Sequence, residues 1–514
     1  MTRPLLSRSR IVELVEPHLL LIVTLIGGLV FWALVFQHAT TTFAGERPLR
    51  ATWTGGGDLS FLGLPFTYDW EGWADYDYYY ISWADQFLNG VTPYTAEFDA
   101  IEVQGEIYNT PFFLPPLYLY LCAVGRLLPI QPYGIALLIA AFGYLTAIPL
   151  YGIVRYLSDD ELTAVVAALT YLFNPIVLYH TLFNWLNPAP FTFFAVLGFY
   201  LLMRNHRYAG SLSFVTAFFF KQMAVFFALP LIAYLVKRPP FSHGATPEST
   251  GNDGDAEEGR RPPSDDLDLK SFAKVTVVVL VYAALLSIPY IFDPYNYLFR
   301  IFVRPGITHL EDLTTVPPRY VPVTIVVPFI VVGAPTWLLE TIDLLAYTSV
   351  LLVIGIMPPM AMMLYEVKDD AQLRRYWRRI LLFTLIMLLL AHALSPRGIY
   401  KYYCVTLVPF IVILSVSRMC GSDNESVEMT PLMLITPFVW SIAVLFLPRE
   451  SLPLLLLMTA AAYALHHKVG NMFSALGRPL ALFRKTLSHD EKKPTSPAEL
   501  VTRSSTPRVP SSSS

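Results

Sequence analysis

Long apolar runs recur almost from one end of this chain to the other, and that repetition decides the fold class before any motif is read. A bilayer's hydrocarbon core takes roughly 20 apolar residues per helix. Backbone groups inside it find partners only within helices or closed barrels, and the alternating pattern of a membrane barrel is absent. Of 514 residues, 54% are hydrophobic and 15% charged, a balance foreign to ordinary soluble globules. The expected fold is therefore all-α and polytopic, an integral membrane protein that belongs in the cell membrane if prokaryotic. A net charge of −3 says little about partners, and the bilayer is expected as one while nucleic acid is not. Cys122, Cys404 and Cys420 lie in or beside apolar runs and form neither a disulfide framework nor a metal set. The first run, Pro17 to Phe36, follows Arg3, Arg8 and Arg10 but is longer than a signal core and lacks a small-residue cleavage site, so it reads as a retained helix.

Lys and Arg collect in cytoplasmic loops. That rule places the N-terminus, Arg155, Arg204 to Arg207, Lys237–Arg238, Arg374 to Arg379, Arg418 and the tail from His466 inside. Residues 37–132 and 292–341, with the turns at Asn184, Ser395 to Lys401 and Arg449, then face outward. Phe112 to Leu128 and Val321 to Leu338, both broken by prolines, become interfacial or re-entrant. The run from Ser211 to Val236 has Lys221 at its middle, where a short hairpin would bring the cation near the outer side. About 11 crossings are expected, a sequence-based count good to about two. Residues 1–487 form the membrane module; residues 239–268, rich in Pro, Gly, Ser and acids, read as a disordered cytoplasmic insertion, and residues 488–514 as a disordered tail. No internal repeat is evident, which weighs against a transporter built from duplicated halves.

The first outward segment is rich in aromatics and carries acids from Asp58 to Glu106, most of which are expected to be solvated. Asp75 and Asp77 differ, because Trp70, Trp73, Tyr76, Tyr78, Tyr79, Tyr80 and Trp83 surround them in the manner of an interfacial belt. Apolar positions Ile81, Ala84, Phe87 and Leu88 recur at helical spacing, predicting an amphipathic helix that ends at Asn89–Gly90. Both carboxylates would then stand at its N-terminus, where the dipole favours the ionised form that a general base requires. An equally simple reading is that Asp77 only caps the helix.

Asp75-Tyr76-Asp77-Tyr78, Gly90-Val91-Thr92-Pro93-Tyr94 and the Pro-rich stretch from Phe112 together resemble the opening of GT-C superfamily glycosyltransferases. The likeness is to polyprenyl-phosphate-dependent mannosyltransferases, including the one of GPI-anchor assembly, and it continues in order and topology over residues 18–418. It implies a GT-C-like fold whose long first extracytoplasmic loop carries interfacial helices. The implied activity is inverting transfer of a hexose, mannose by the likeness, from a polyprenyl- or dolichyl-phosphate donor to a lipid-linked or protein glycan acceptor on the extracytoplasmic face. The Asp motif is one residue shorter than the family spacing, which leaves open which acid matches. Asp77 is taken as the base with Asp75 as helper, and Tyr94 as a substrate contact.

Such transfer needs a carboxylate for the acceptor hydroxyl and cations for the departing phosphate. Arg397 and Lys401 fit the second role, against plain interfacial snorkelling. Tyr400, with Tyr402 and Tyr403, fits phosphate or sugar contact, or an aromatic belt. Lys221 is too costly within an apolar run unless it is paired or faces a polar cleft, and it is expected to face the active-site cleft and bind the substrate phosphate, against a structural pairing with a carboxylate. Arg300, Arg304, His309 and Arg319 are further electrostatic candidates, and His392 reads as a core histidine. No metal is obligatory, since a lipid monophosphate has no pair of phosphates for a cation to bridge, although a D-x-D pair is able to bind a divalent ion. The competing class is a flippase or small-solute transporter without covalent chemistry, its charges lining a path through the midplane.

Overall fold

The computed structural model describes residues 19–45, 54–61, 64–103, 106–236, 267–303, 323–363, 370–395, 398, 400–416 and 431–465. Arg304, His309, Arg319, Arg397, nearly all of the 239–268 insertion and the 488–514 tail lie outside them. The fold is a helical membrane bundle, all-α in its membrane part. Among the described residues, five helices are long and apolar enough to cross a bilayer: Leu19–Gly45, Gly134–Ser158, Leu269–Ser287, Thr336–Pro359 and Leu373–Ala393. Glu161–Leu172 and Val177–Phe183, bent by 60°, make a sixth if they count as one span. Length and composition therefore do not reach the expected 11. The reason is local: prolines and buried polar residues cut the remaining apolar runs into helices such as Pro116–Leu127, Pro188–Met203 and Leu434–Phe446, each shorter than a crossing.

The loop joins follow ordinary capping chemistry. Ala147–Ser158 ends at Asp159 in the left-handed region (φ 59°), and the next residue, Asp160, accepts a hydrogen bond from the Thr163 amide at 2.8 Å to open the following helix. Helices Pro116–Leu127 and Gly134–Leu145 meet backbone to backbone: a Cβ on Gly125 would stand 2.6 Å from the Ile135 Cα, and one on Gly134 2.0 Å from the Gly125 carbonyl oxygen. Only glycine permits that approach.

The segment between the first two long helices carries two antiparallel β-hairpins, Thr54–Phe61 with Leu64–Glu71 and Ala100–Val103 with Glu106–Asn109, in addition to helices. Two of its acids are less solvated than expected, whereas Glu97 and Glu102 are exposed. Asp99 is buried and ion-paired with Arg300, and its other oxygen accepts the Phe112 amide at 2.8 Å. Asp85 takes a two-pronged bond from Arg126, at 2.7 and 3.1 Å. Burying a carboxylate is tolerable only when its lone pairs are met in this way.

The run around Lys221 folds back on itself. Helix Arg207–Phe220 stops at Lys221, and short helical turns return the chain to Val236. Arg207, at the start, donates to the Tyr234 carbonyl at 2.8 Å near the end. Lys221 is thus the tip of a helical hairpin. Arg207 also reaches Ser271 at 3.1 Å, and Arg374 reaches Asp159 at 3.5 Å, each bond tying together turns that carry basic residues.

Candidate active site

Asp75 and Asp77 lie in a single widened turn, a π-helix over Asp75–Tyr80 that runs directly into the helix Ile81–Leu88. The wider turn points Tyr76 and Tyr80 into the core while the acids remain half-buried. The Tyr76 hydroxyl donates to the Pro132 carbonyl at 2.5 Å and accepts the Ala136 amide at 3.3 Å, and its ring packs on Phe43 and Trp185. That side chain pins the turn, which is where π-helical insertions commonly serve function. The helix end comes where the sequence predicts it, with Gly90 at φ 86°. The capping reading of Asp77 fails: the turn is entered from Ala74 without a side-chain cap, and the Asp77 amide is already inside it, bonded to the Trp73 carbonyl at 2.8 Å.

Among the described residues no hydrogen bond reaches the Asp75 carboxylate, and burial pushes its carboxyl up to about 6 against the opposing pull of the Lys221 charge. The Asp75 charge in turn helps burial raise the phenols of Tyr79 and Tyr80. A carboxylate that is ionised at neutral pH yet holds a proton this firmly suits a general base.

Lys221 supplies the facing cation. Its Nζ donates to Asn187 Oδ1 at 2.7 Å and stands 4.0 Å from the centroid of the Tyr403 ring, 5.4 Å from that of Tyr402 and 5.7 Å from that of Phe191. An ammonium brought into an apolar setting is steadied there by ring quadrupoles and by the Asn187 acceptor. Tyr403 lies 4.5 Å from Tyr402, ring to ring, and Tyr400 stacks on Tyr402 at 5.6 Å. His392 flanks the same cluster, its ring 5.9 Å from that of Tyr403.

Asp75, Lys221 and the tyrosines of the 400–403 turn therefore come together. Lys401 does not join them: it is buried and its Nζ donates to the Leu445 carbonyl at 2.9 Å. Tyr94 is likewise turned away, in the left-handed region at φ 65°, its hydroxyl on the Leu114 carbonyl at 2.9 Å and its ring against Tyr290 and Tyr297. It is a packing residue in this arrangement. Asn187 is the participant that sequence reasoning passed over. Standing before Pro188 it has the look of a helix cap, but its side chain makes no cap bond and holds Lys221 instead; an Asn within an apolar run was the signal. Among the described residues no three His, Cys, Asp or Glu side chains gather to hold a metal.

The profile of the ALG6, ALG8 glycosyltransferase family matches residues 137–310, a stretch that includes Asn187, Lys221 and Arg300. That match carries no preference for mannose. No curated protein matches the chain.

Proposed function

We propose that this chain, a membrane glycosyltransferase of the GT-C type, moves a hexose from a dolichol-type lipid-phosphate carrier to a glycan acceptor, with Asp75 as the base. The members of the matched family are glucosyltransferases, which favours glucose over mannose as the hexose. The observation that carries the reading is a half-buried Asp75 carboxylate within the field of the buried Lys221 ammonium, beside the Tyr402–Tyr403 rings.

In an inverting displacement the acceptor hydroxyl gives its proton to Asp75 as its oxygen bonds to C1 of the sugar. The bond from C1 to the phosphate oxygen breaks on the opposite face, and its electron pair leaves with the lipid phosphate. Charge grows on that phosphate in the transition state, so a cation fixed beforehand in a low-dielectric setting lowers the barrier. Lys221 is suited to this, because Asn187 and the aromatic rings fix its ammonium in place beforehand. Asp77, one residue beyond Tyr76 on the same turn, is a helper. Basic turns tied together by Arg374 and Asp159, away from Asp75, support an extracytoplasmic site by the positive-inside rule.

The test is transfer by the purified protein from dolichyl-phosphate glucose and dolichyl-phosphate mannose, with Asp75→Asn and Lys221→Met beside the wild type. Glucose transfer that both substitutions abolish, with an inverted anomeric product, is expected. Transfer from the mannose donor alone would overturn the sugar. Undiminished transfer by Asp75→Asn would overturn the site.

A further inference from the structure

Lys221 sits at a break in the backbone. Its extended conformation (φ −157°, ψ 126°) ends one helix and begins a single 3-10 turn, so no continuous helix sets the direction of its side chain. The restraint comes from the side, through the next residue. Gln222 Nε2 donates to the Phe113 carbonyl at 3.3 Å and to the Ile301 carbonyl at 3.2 Å. These two carbonyls belong to different segments that are already joined one residue away: Phe112 gives its amide to Asp99, and Asp99 pairs with Arg300. The Asp99–Arg300 pair and the Gln222 amide thus form one joint between the acidic segment, the 299–303 turn and the hairpin tip. Tyr94 stiffens the same joint by packing on Tyr290 and Tyr297.

We propose that Gln222 is a positioning residue, which passes the geometry of the Asp99–Arg300 joint to Lys221 and so sets where the donor's phosphate is held. The inference rests on Lys221 facing that phosphate. A role confined to fold stability would not move the properties that belong to Lys221, and this separates the two.

The experiment compares Gln222→Met and Gln222→Asn with the wild type, alone and with Lys221→Met, using dolichyl-phosphate glucose as donor. Gln222 Oε1 is buried with no partner among the described residues, so the Met variant removes an unmet acceptor as well as the donor and keeps the side-chain volume. The Asn variant keeps an amide that falls one methylene short. Either is expected to raise the KM for the donor roughly tenfold with a much smaller change in kcat, the cost of about one misplaced charge-assisted bond. The acidic limb of the pH profile, set by an Asp75 that faces Lys221, Tyr79, Tyr80 and Tyr402, should move toward that of Lys221→Met. In the Lys221→Met background neither Gln222 change should add anything. An unchanged KM and limb in both Gln222 variants, while Lys221→Met alters both, overturns the positioning role and leaves the proposed function standing. Equal effects with and without Lys221 overturn it also. A silent Lys221→Met overturns the phosphate role itself.

Discussion

The Lys221 ammonium stands 4.0 Å from the centroid of the Tyr403 ring, so the tip of one helical hairpin is seated on a turn far along the chain. This contact does two things. It offsets part of the cost of bringing a cation into an apolar bundle, and, since a ring quadrupole leaves the positive charge in place, it keeps the cation attractive to an anion.

Removing the ring should therefore weaken donor binding. A desolvated cation–π contact is worth about 2 kcal/mol, so Tyr403→Leu is expected to raise the KM for the lipid-phosphate donor by up to roughly thirtyfold. Tyr403→Trp should retain most of the affinity. Initial-rate kinetics on the purified variants decide it.

Asp75→Asn keeps size and shape but cannot take a proton, and general-base removal costs roughly 10²–10⁴ in rate. That loss is expected in kcat, with donor affinity little changed. Asp77→Asn should lose less, since the Lys221 charge acts on the Asp75 carboxyl. Equal losses in the two single variants would reverse this ranking of the acids.

The pH dependence follows from the Asp75 carboxyl, which burial raises to about 6 while Lys221 pulls it down. The base must be ionised, so transfer should fall as pH drops through about 6. Lys221→Met removes the lowering influence, and the acidic limb should move to higher pH in the variant. Stability runs the other way. The folded state holds this proton more tightly than the unfolded chain, so any protection from it is full at pH below the ordinary carboxylate range and is lost as pH rises through about 6. Asp75→Asn should consequently raise the Tm at pH 7.5 relative to the wild type, measured in detergent, and the gain should fade toward pH 4.

Arg300 and Asp99 form a buried pair in which breaking one side strands the other charge. Arg300→Met is expected to cost about 3–5 kcal/mol. The double change Arg300→Met with Asp99→Asn should recover part of this, because no charge is then left buried alone. Chemical unfolding of the wild type and both variants measures the difference.

Gly125→Val would press a side chain into the Ile135 backbone at the helix crossing. Overpacking there is expected to cost about 1–3 kcal/mol, read as a lower Tm, whereas Gly27→Ala on the first helix, with nothing within 4 Å of its Cβ position, should be near neutral.

Much of the architecture was legible in the sequence. Membrane residence follows from run length alone, and the hairpin around Lys221 from the basic turns on either side of it, which a fold-back keeps on one face. The aromatic surroundings marked Asp75 and Asp77 as unusual before any geometry. What was not legible has a common physical cause. The number of full crossings depends on how proline-broken helices are covered by neighbours, the two hairpins of the acidic segment are short, and Asp99 looks like any loop acid until Arg300 arrives 201 residues later. Lys401 and Lys221 are alike as letters, but one is bonded to the Leu445 carbonyl and the other is held by aromatic rings near Asp75.

The chain by itself determined that it is a helical membrane protein with an acid-bearing aromatic turn, because hydropathy and residue type within some twenty positions are local properties that a bilayer reads directly. Only the tertiary structure decided which acid meets which cation, since that depends on how hairpin, acidic segment and 401–406 turn pack against one another. Packing brought Asp75 into the field of Lys221, set Asn187 on the ammonium, and placed Tyr94 against Tyr290 and Tyr297.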